Sequence, residues 1–307
     1  MLFRGLKNGG SSDTYDIGIV ATGFESRCTF ALKELGRRRF DELYVIGFEE
    51  RRVEESRIKA DAFFSLLDPT EMLICSSSDA SFAAKILGER LSAHPHPRIF
   101  VDYSSMPRAW YGAILNYLRS TQLCSNAILD LSYTPGLHEG EKTPVEVKGI
   151  TTIPGFEGVS SGSARTATVF SLGFDKWLPY AALERVQPNE IFCVVAEPGG
   201  VPEYTGRALT INKHLFEELG IVPFAIDIRD VEQYFTFLTE LIALKLHQTC
   251  DVALVGMGPK PHTLGMCLAA IRFQEAAVVQ VERRATSVED IKPIGERITT
   301  QVMFESS

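Results

Sequence analysis

Short apolar runs alternate along the chain with longer, one-sided segments. Runs at 17–21, 43–47, 71–75, 98–101 and 127–131 predict buried strands, and 145–152 predicts a further edge or hairpin strand. Between them, 26–35, 51–67, 80–91 and 109–118 read as helices. In 51–67 an apolar stripe of Ile58, Ala62, Phe63 and Leu66 runs among alternating charges, which leaves one face wet. Gly36 is placed to cap the first helix, Asp68 and Pro69 to stop the second, and Ser78 and Asp79 to start the third.

The stretch 153–165 is rich in Gly and Ser and has no period, so it predicts a linker. After it the order begins again. Strands are expected at 167–172, 191–196, 222–226, 252–255 and 276–281, and helices at 176–185, 204–219, 231–247 and 262–273. A late alternation at 299–304 suggests one added strand. Strands alternating with helices predict an α/β protein whose mostly parallel sheets are covered by helices on both faces. The expected division is a first unit over 1–152, a linker over 153–165 and a second unit over 166–307. Right-handed crossovers would bring the strand-to-helix loops of a unit to one sheet edge, beyond the strand carboxyl ends, where ligands of open α/β sheets bind.

The loops at that edge repeat. Gly23, Phe24 and Glu25 follow the first strand, and Gly173, Phe174 and Asp175 follow its counterpart. Glu49 follows the second strand, as Glu197 does later. Pro107 and Arg108 precede the fourth helix, as Pro259 and Lys260 precede its counterpart. The offsets are 150, 148 and 152 residues. Matched features at nearly constant offset predict two halves of shared topology. A carboxylate after the second strand is where nucleotide-binding α/β folds grip ribose hydroxyls. A cation at a helix start suits a phosphate. Gly23 and Gly173 would permit a tight turn or a close ligand approach. Each feature also has a plain structural reason, since glycine and acidic residues are common at helix starts for capping alone.

At 307 residues, 45% hydrophobic and 23% charged, the chain fits one large or two medium globular units. No apolar run approaches the roughly 20 residues that span a bilayer. The first residues lack the apolar core of a signal peptide, so a cytoplasmic location is expected. Six cysteines without a C-x-x-C pair predict reduced, mostly buried thiols and no zinc site. No cofactor or metal is expected, and His94 and His96 read as part of a proline-broken surface connector. The net charge of −8 argues against an extended duplex-binding groove. The run Arg37 to Arg39 reads as a solvated helix end.

No G-x-G-x-x-G follows the first strand, and no G-x-x-x-x-G-K-[ST] or G-x-S-x-G is present. Dinucleotide oxidoreductases, P-loop NTPases and α/β-hydrolases are therefore disfavoured. His262, two residues after Lys260, is the histidine expected at a ligand edge, with capping or packing as the plainer role.

The loop Asp102-Tyr-Ser-Ser-Met-Pro-Arg108 before an apolar helix, and Gly256-Met-Gly-Pro-Lys260 before the His262 helix, resemble a loop of CARF and SAVED domains. In that family a Rossmann-like fold binds cyclic oligonucleotide messengers through a late-strand loop of the form Asp-x-Thr-Gly-Gly-Thr-Lys. Neither loop here keeps the Thr-Gly-Gly-Thr core, and Arg108 replaces the lysine in the first. The resemblance implies two tandem Rossmann-like units, a cyclic oligonucleotide ligand, and a sensor role in a prokaryotic defence or stress system with an effector partner.

Three functions stay open. In a binding module, Gly23, Arg27, Glu49, Ser104, Arg108, Gly173, Asp175, Glu197, Lys260 and His262 would line the site for a nucleotide or phosphorylated small molecule. Arg27 and Arg108 would neutralise phosphate. In a nucleotide hydrolase or N-glycosidase, Glu25 or Asp102 would act as general base or oxocarbenium stabiliser. In a protein-interaction module the repeat would carry no ligand.

Overall fold

The computed structural model describes residues 2–10, 12–123, 126–138, 146–284 and 290–305. The chain divides into two compact units. Unit 1 comprises 1–138 with 288–307, and unit 2 comprises 139–287.

In chain order, unit 1 begins with β1 (Leu2–Asn8), β2 (Tyr15–Thr22), α1 (Phe30–Leu35), β3 (Phe40–Phe48), α2 (Glu55–Leu66), β4 (Glu71–Cys75) and α3 (Phe82–Arg90). It continues with β5 (Arg98–Asp102), α4 (Arg108–Ser120), β6 (Asn126–Tyr133) and the short β7 (Gly136–Leu137). Unit 2 holds β8 (Glu146–Thr152), β9 (Thr166–Ser171), α5 (Leu178–Val186), β10 (Glu190–Ala196), α6 (Pro202–Leu219) and β11 (Phe224–Ile226). It ends with α7 (Val231–His247), β12 (Asp251–Gly256), α8 (Lys260–Arg272) and β13 (Ala276–Arg284). The chain then returns to unit 1 as β14 (Lys292–Pro293) and β15 (Ile298–Glu305).

The sheet of unit 1 has the order β1-β15-β6-β5-β2-β3-β4. Its five strands from β6 to β4 are parallel, while β15 is antiparallel to β6 and β1 to β15. The sheet of unit 2 has the order β11-β10-β9-β12-β13-β8, with five parallel strands and β8 antiparallel at one edge. Numbering the parallel strands of each sheet along the chain gives the same order twice, 3-2-1-4-5. The direction of strand addition reverses between strands one and four, β2 and β5 in unit 1 and β9 and β12 in unit 2.

Helices cover both faces, as the alternation predicts. In unit 1, Leu43 and Val45 pack with Val20, Phe100, and Ala60 and Phe64 of α2. Strand alternation turns Phe48 to the other face. There Trp110 of α4 stacks on it with ring centroids 4.6 Å apart, and Phe82 of α3 meets Trp110 edge-on at 5.4 Å. In unit 2, Leu178 and Ala182 of α5 and Leu215 of α6 pack on Phe170, Cys193 and Val195. On its other helical layer α7 packs along α8. The rings of Tyr234 and His262 meet there at 4.5 Å.

Four expectations are corrected. The first unit does not end at 152, because β8 pairs with β13 and belongs to the second sheet. The second unit does not run to 307, because β15 lies in the first sheet between β1 and β6. The stretch 153–165 is no free linker. Ile153 and Phe156 are buried, their backbones bond with Val278, and Ser160 and Ser161 both donate to Asp251. Leu2–Asn8, for which the sequence predicts no element, is an edge strand. Gly36 caps α1 with φ +77°, as expected of a glycine there. Ser78 and Asp79 do not start α3 as its cap. Ser81 is the N-cap residue, and Asp79 instead accepts a hydrogen bond from the Ser81 backbone.

Among the described residues Cys28, Cys75, Cys193, Cys250 and Cys267 are free thiols, and burial pushes Cys28 and Cys193 up to about 12. Cys124 and the turn 139–145 lie outside the described residues. No described helix is long and apolar enough to cross a membrane.

Candidate functional site

In both units the loop after strand one sits beside the loop after strand four, at the carboxyl edge where strand addition reverses. In unit 1 this places Gly23, Glu25 and Arg27 near Asp102, Ser104 and Ser105. The Arg27 guanidinium is buried. Its Nε donates to Glu25 at 2.8 Å, and its Nη1 donates to Tyr133 Oη at 3.3 Å and to the Thr134 carbonyl at 3.1 Å. Burial works against its charge, but Glu25 and Tyr133 outweigh burial and hold its pKa above the ordinary value. The Gly136 and Ile291 segment packs directly against it. Arg27 therefore ties three loops of unit 1 together from inside.

Asp102 and Ser104 form a second internal staple. Both are buried. Ser104 donates through its backbone N–H and its hydroxyl to Asp102 Oδ1, and its Oγ accepts from the Thr134 N–H at 2.8 Å. Burial pushes Asp102 up to about 6, opposed by the two Ser104 bonds and by Arg297 and Arg27. Glu25 is less enclosed, and also accepts from Ser105 Oγ at 3.4 Å.

The acidic residues after strand two stand at matching places. Glu49 N–H donates to the Cys75 carbonyl at 2.8 Å, and Glu197 N–H to the Ile226 carbonyl at 2.9 Å, so each continues the ladder to strand three. Both side chains are exposed. The neighbouring Glu50 is the carboxylate engaged by the next loop. Its burial is outweighed by hydrogen bonds from Ser77 and Ser76, which hold it below the usual range.

The cations match more closely. Arg108 and Lys260 are the first residues of α4 and α8, after Pro107 (φ −59°, ψ 154°) and Pro259 (φ −64°, ψ 151°). Both helices are 13 residues long, and neither has a side-chain N-cap bond. Both cations are half-buried. A fixed cation beside amides at a helix start can bind a phosphate oxygen.

Other predicted residues have packing roles. A Cβ on Gly173 would lie 2.9 Å from the Met257 carbonyl, and one on Gly258 would lie 2.8 Å from the Leu172 carbonyl. The two loops of unit 2 thus touch backbone to backbone, and glycine is required for that approach. Gly23 is less confined, its nearest neighbour being Phe48 at 3.2 Å. Asp175 is buried. His262 is 1% exposed, with Nδ1 3.0 Å from Ser171 Oγ. Burial pushes it down to about 4, opposed in part by the Ile226 backbone. Its counterpart in unit 1 is Trp110, which is also the third residue of its helix. His262 therefore occupies a core position and lies beneath the edge.

The sequence reading missed an aromatic–guanidinium pair in each unit. Arg51 Cζ lies 5.3 Å from the Phe24 ring centroid, and Arg207 Cζ lies 4.7 Å from that of Phe174. Each ring is backed by a second aromatic, Phe48 at 6.0 Å and Tyr204 at 5.0 Å. The repeated Gly-Phe was the available signal. It also missed how α2 and α6 fasten this edge. Arg57 Nη1 donates to the Phe48 carbonyl and Thr205 Oγ1 to the Ala196 carbonyl, the last residues of the two second strands. Among the described residues no group of three or more His, Cys, Asp or Glu side chains is placed to hold a metal ion. No protein-family model matches the sequence, and a search of curated proteins finds no match.

Proposed function

We propose that the chain is a ligand-binding protein whose two Rossmann-like units take a nucleotide or cyclic oligonucleotide at their strand carboxyl edges. The reading rests on one observation above the others. Pro107 with Arg108, and Pro259 with Lys260, open equivalent 13-residue helices in two sheets of identical strand order. Each cation thereby stands after strand four, next to the reversal point where open α/β sheets bind ligands. Exposed Glu49 and Glu197 beyond strand two are in the order expected for ribose contacts. A sensor role with an effector partner extends this reading through the CARF and SAVED resemblance.

Hydrolysis at the same edge has weaker support. Asp102 is sealed inside unit 1 by Ser104, and Glu25 is held by Arg27.

A thermal-shift screen of nucleotides and cyclic di- and oligonucleotides, with product analysis of each hit, tests the reading. A true ligand at about 100 times its Kd should stabilise the protein by roughly 2.7 kcal/mol without turnover. Arg108→Glu and Lys260→Glu should weaken binding about 10-fold or more. A screen in which nothing shifts the transition rejects the proposal.

A further inference from the structure

We propose that Arg51 with Phe24, and Arg207 with Phe174, are two equivalent stacking clamps, each taking a nucleobase at the edge of its own unit. This rests on the nucleotide-binding reading above and names the part of the ligand that these residues meet.

The place is the first argument. Phe24 and Phe174 directly follow the glycine of the turn after strand one, at the edge assigned to the ligand. Turn positions ordinarily favour small polar residues. Here a large ring stands half-buried in both units. Its carbonyl or that of the preceding glycine is fixed by the second crossover helix of the unit, α2 or α6, through Ser56 Oγ to Phe24 at 2.6 Å and Asn212 Nδ2 to Gly173 at 2.9 Å. The ring is therefore on a fixed turn.

The origin of the arginines is the second argument. The phenylalanines keep a constant offset, but the arginines do not. Arg51 comes from the loop after β3, and Arg207 from within α6. A pair that merely survived from a common ancestor would keep both members in register. Here the same pairing is reached from two different elements. Arg51 also adopts φ +58°, a left-handed conformation that costs a residue with a Cβ about 1–2 kcal/mol. That cost falls on the residue carrying the guanidinium over the ring.

The chemistry is the third argument. A phosphate needs a cation but no aromatic ring. A guanidinium held against an aromatic ring keeps a planar outer face and a row of N–H donors. A flat heteroaromatic base can stack on that face.

The test is calorimetric titration of the full chain with AMP, GMP, CMP and UMP, and separately with ribose 5-phosphate, up to millimolar concentration. At least one nucleotide should bind about 10-fold more tightly than ribose 5-phosphate. The expected stoichiometry is two per chain, one for each clamp. Phe24→Leu and Phe174→Leu keep the arginine charge and remove the ring. Each should abolish the nucleotide preference at one site and change ribose 5-phosphate affinity little. Phe24→Tyr and Phe174→Tyr retain a ring and should retain the preference, which separates loss of stacking from loss of folding. Equal binding of nucleotides and ribose 5-phosphate by the unaltered chain overturns the clamps but leaves the phosphate-binding edge standing. Binding of neither overturns both.

Discussion

An aspartate ordinarily ionises near 3.8, but Asp102 keeps its proton up to about 6 because its carboxyl is buried. Between those values the folded chain holds a proton that the unfolded chain has released. Stability from this group is complete below about pH 4 and is lost as pH rises through about 6. The loss is roughly 3 kcal/mol. His262 has the opposite sign. The unfolded imidazole is protonated near 6.5, whereas burial delays the folded one to about 4. Its stabilising effect is complete above 6.5 and is lost as pH falls toward 4. The two trends oppose each other in the unaltered chain. Urea midpoints measured from pH 4 to 7 should therefore rise with pH in Asp102→Asn and fall with pH in His262→Gln. An unchanged profile in Asp102→Asn would show that its carboxyl is solvated. Neither environment was legible from sequence. Asp102 read as a base because a carboxylate beside a phosphate-binding turn can activate water. His262 read as an edge residue because it follows Lys260 by two, a spacing that cannot reveal whether the third helical residue faces out or in.

Elements were legible where their period is local. The five parallel strands of each sheet and the crossover helices α2 to α8 fall close to the apolar runs and stripes that predict them. Pairing across long separations was not legible. The alternation before the C-terminus suggested a strand, but nothing within it specifies β6 and β1 as neighbours. The segment 153–165 misled because its Gly and Ser content hid two anchors, Ile153 and Phe156. The fastening of α2 over the edge was equally hidden. Arg57 is fully buried, with Nη1 donating to the Phe48 carbonyl and Nε to Asp61, which also accepts from Thr22 Oγ1. Arg57→Met should cost about 2–3 kcal/mol, since it removes charge-assisted bonds and leaves a buried carbonyl unpaired. Thr205→Val, at the matching place on α6, should cost about 1–2 kcal/mol because two neutral bonds are lost, one to the Ala196 carbonyl and one from the Gly199 N–H. Denaturant midpoints check both, and equal losses would argue that the charge on Arg57 contributes nothing.

For the whole molecule, the shared strand order vindicates the expectation of two halves with one topology, while the boundaries fall elsewhere. Unit 2 is one continuous stretch, whereas unit 1 is closed by residues that come after it. A fragment of residues 139–287 should therefore unfold cooperatively by itself. A fragment of residues 1–138 lacks β15 and should show no cooperative transition, because β6 loses its antiparallel neighbour and β1 loses the strand it pairs with. Circular dichroism melts of the two fragments distinguish these outcomes. A cooperative transition in 1–138 would show that β15 is dispensable.

The placement of β15 also sets a timetable for synthesis. Residues 298–305 leave the ribosome after every strand of unit 2 has emerged, yet they belong beside β6 of unit 1. Domains generally fold as units during translation, N-terminal first. Here the order is inverted: the inserted unit can finish while the first half waits with the side edge of β6 unpaired. Until β15 arrives, that edge is open to any other strand, so the nascent first unit is the point at which chaperone dependence and aggregation of this protein should concentrate.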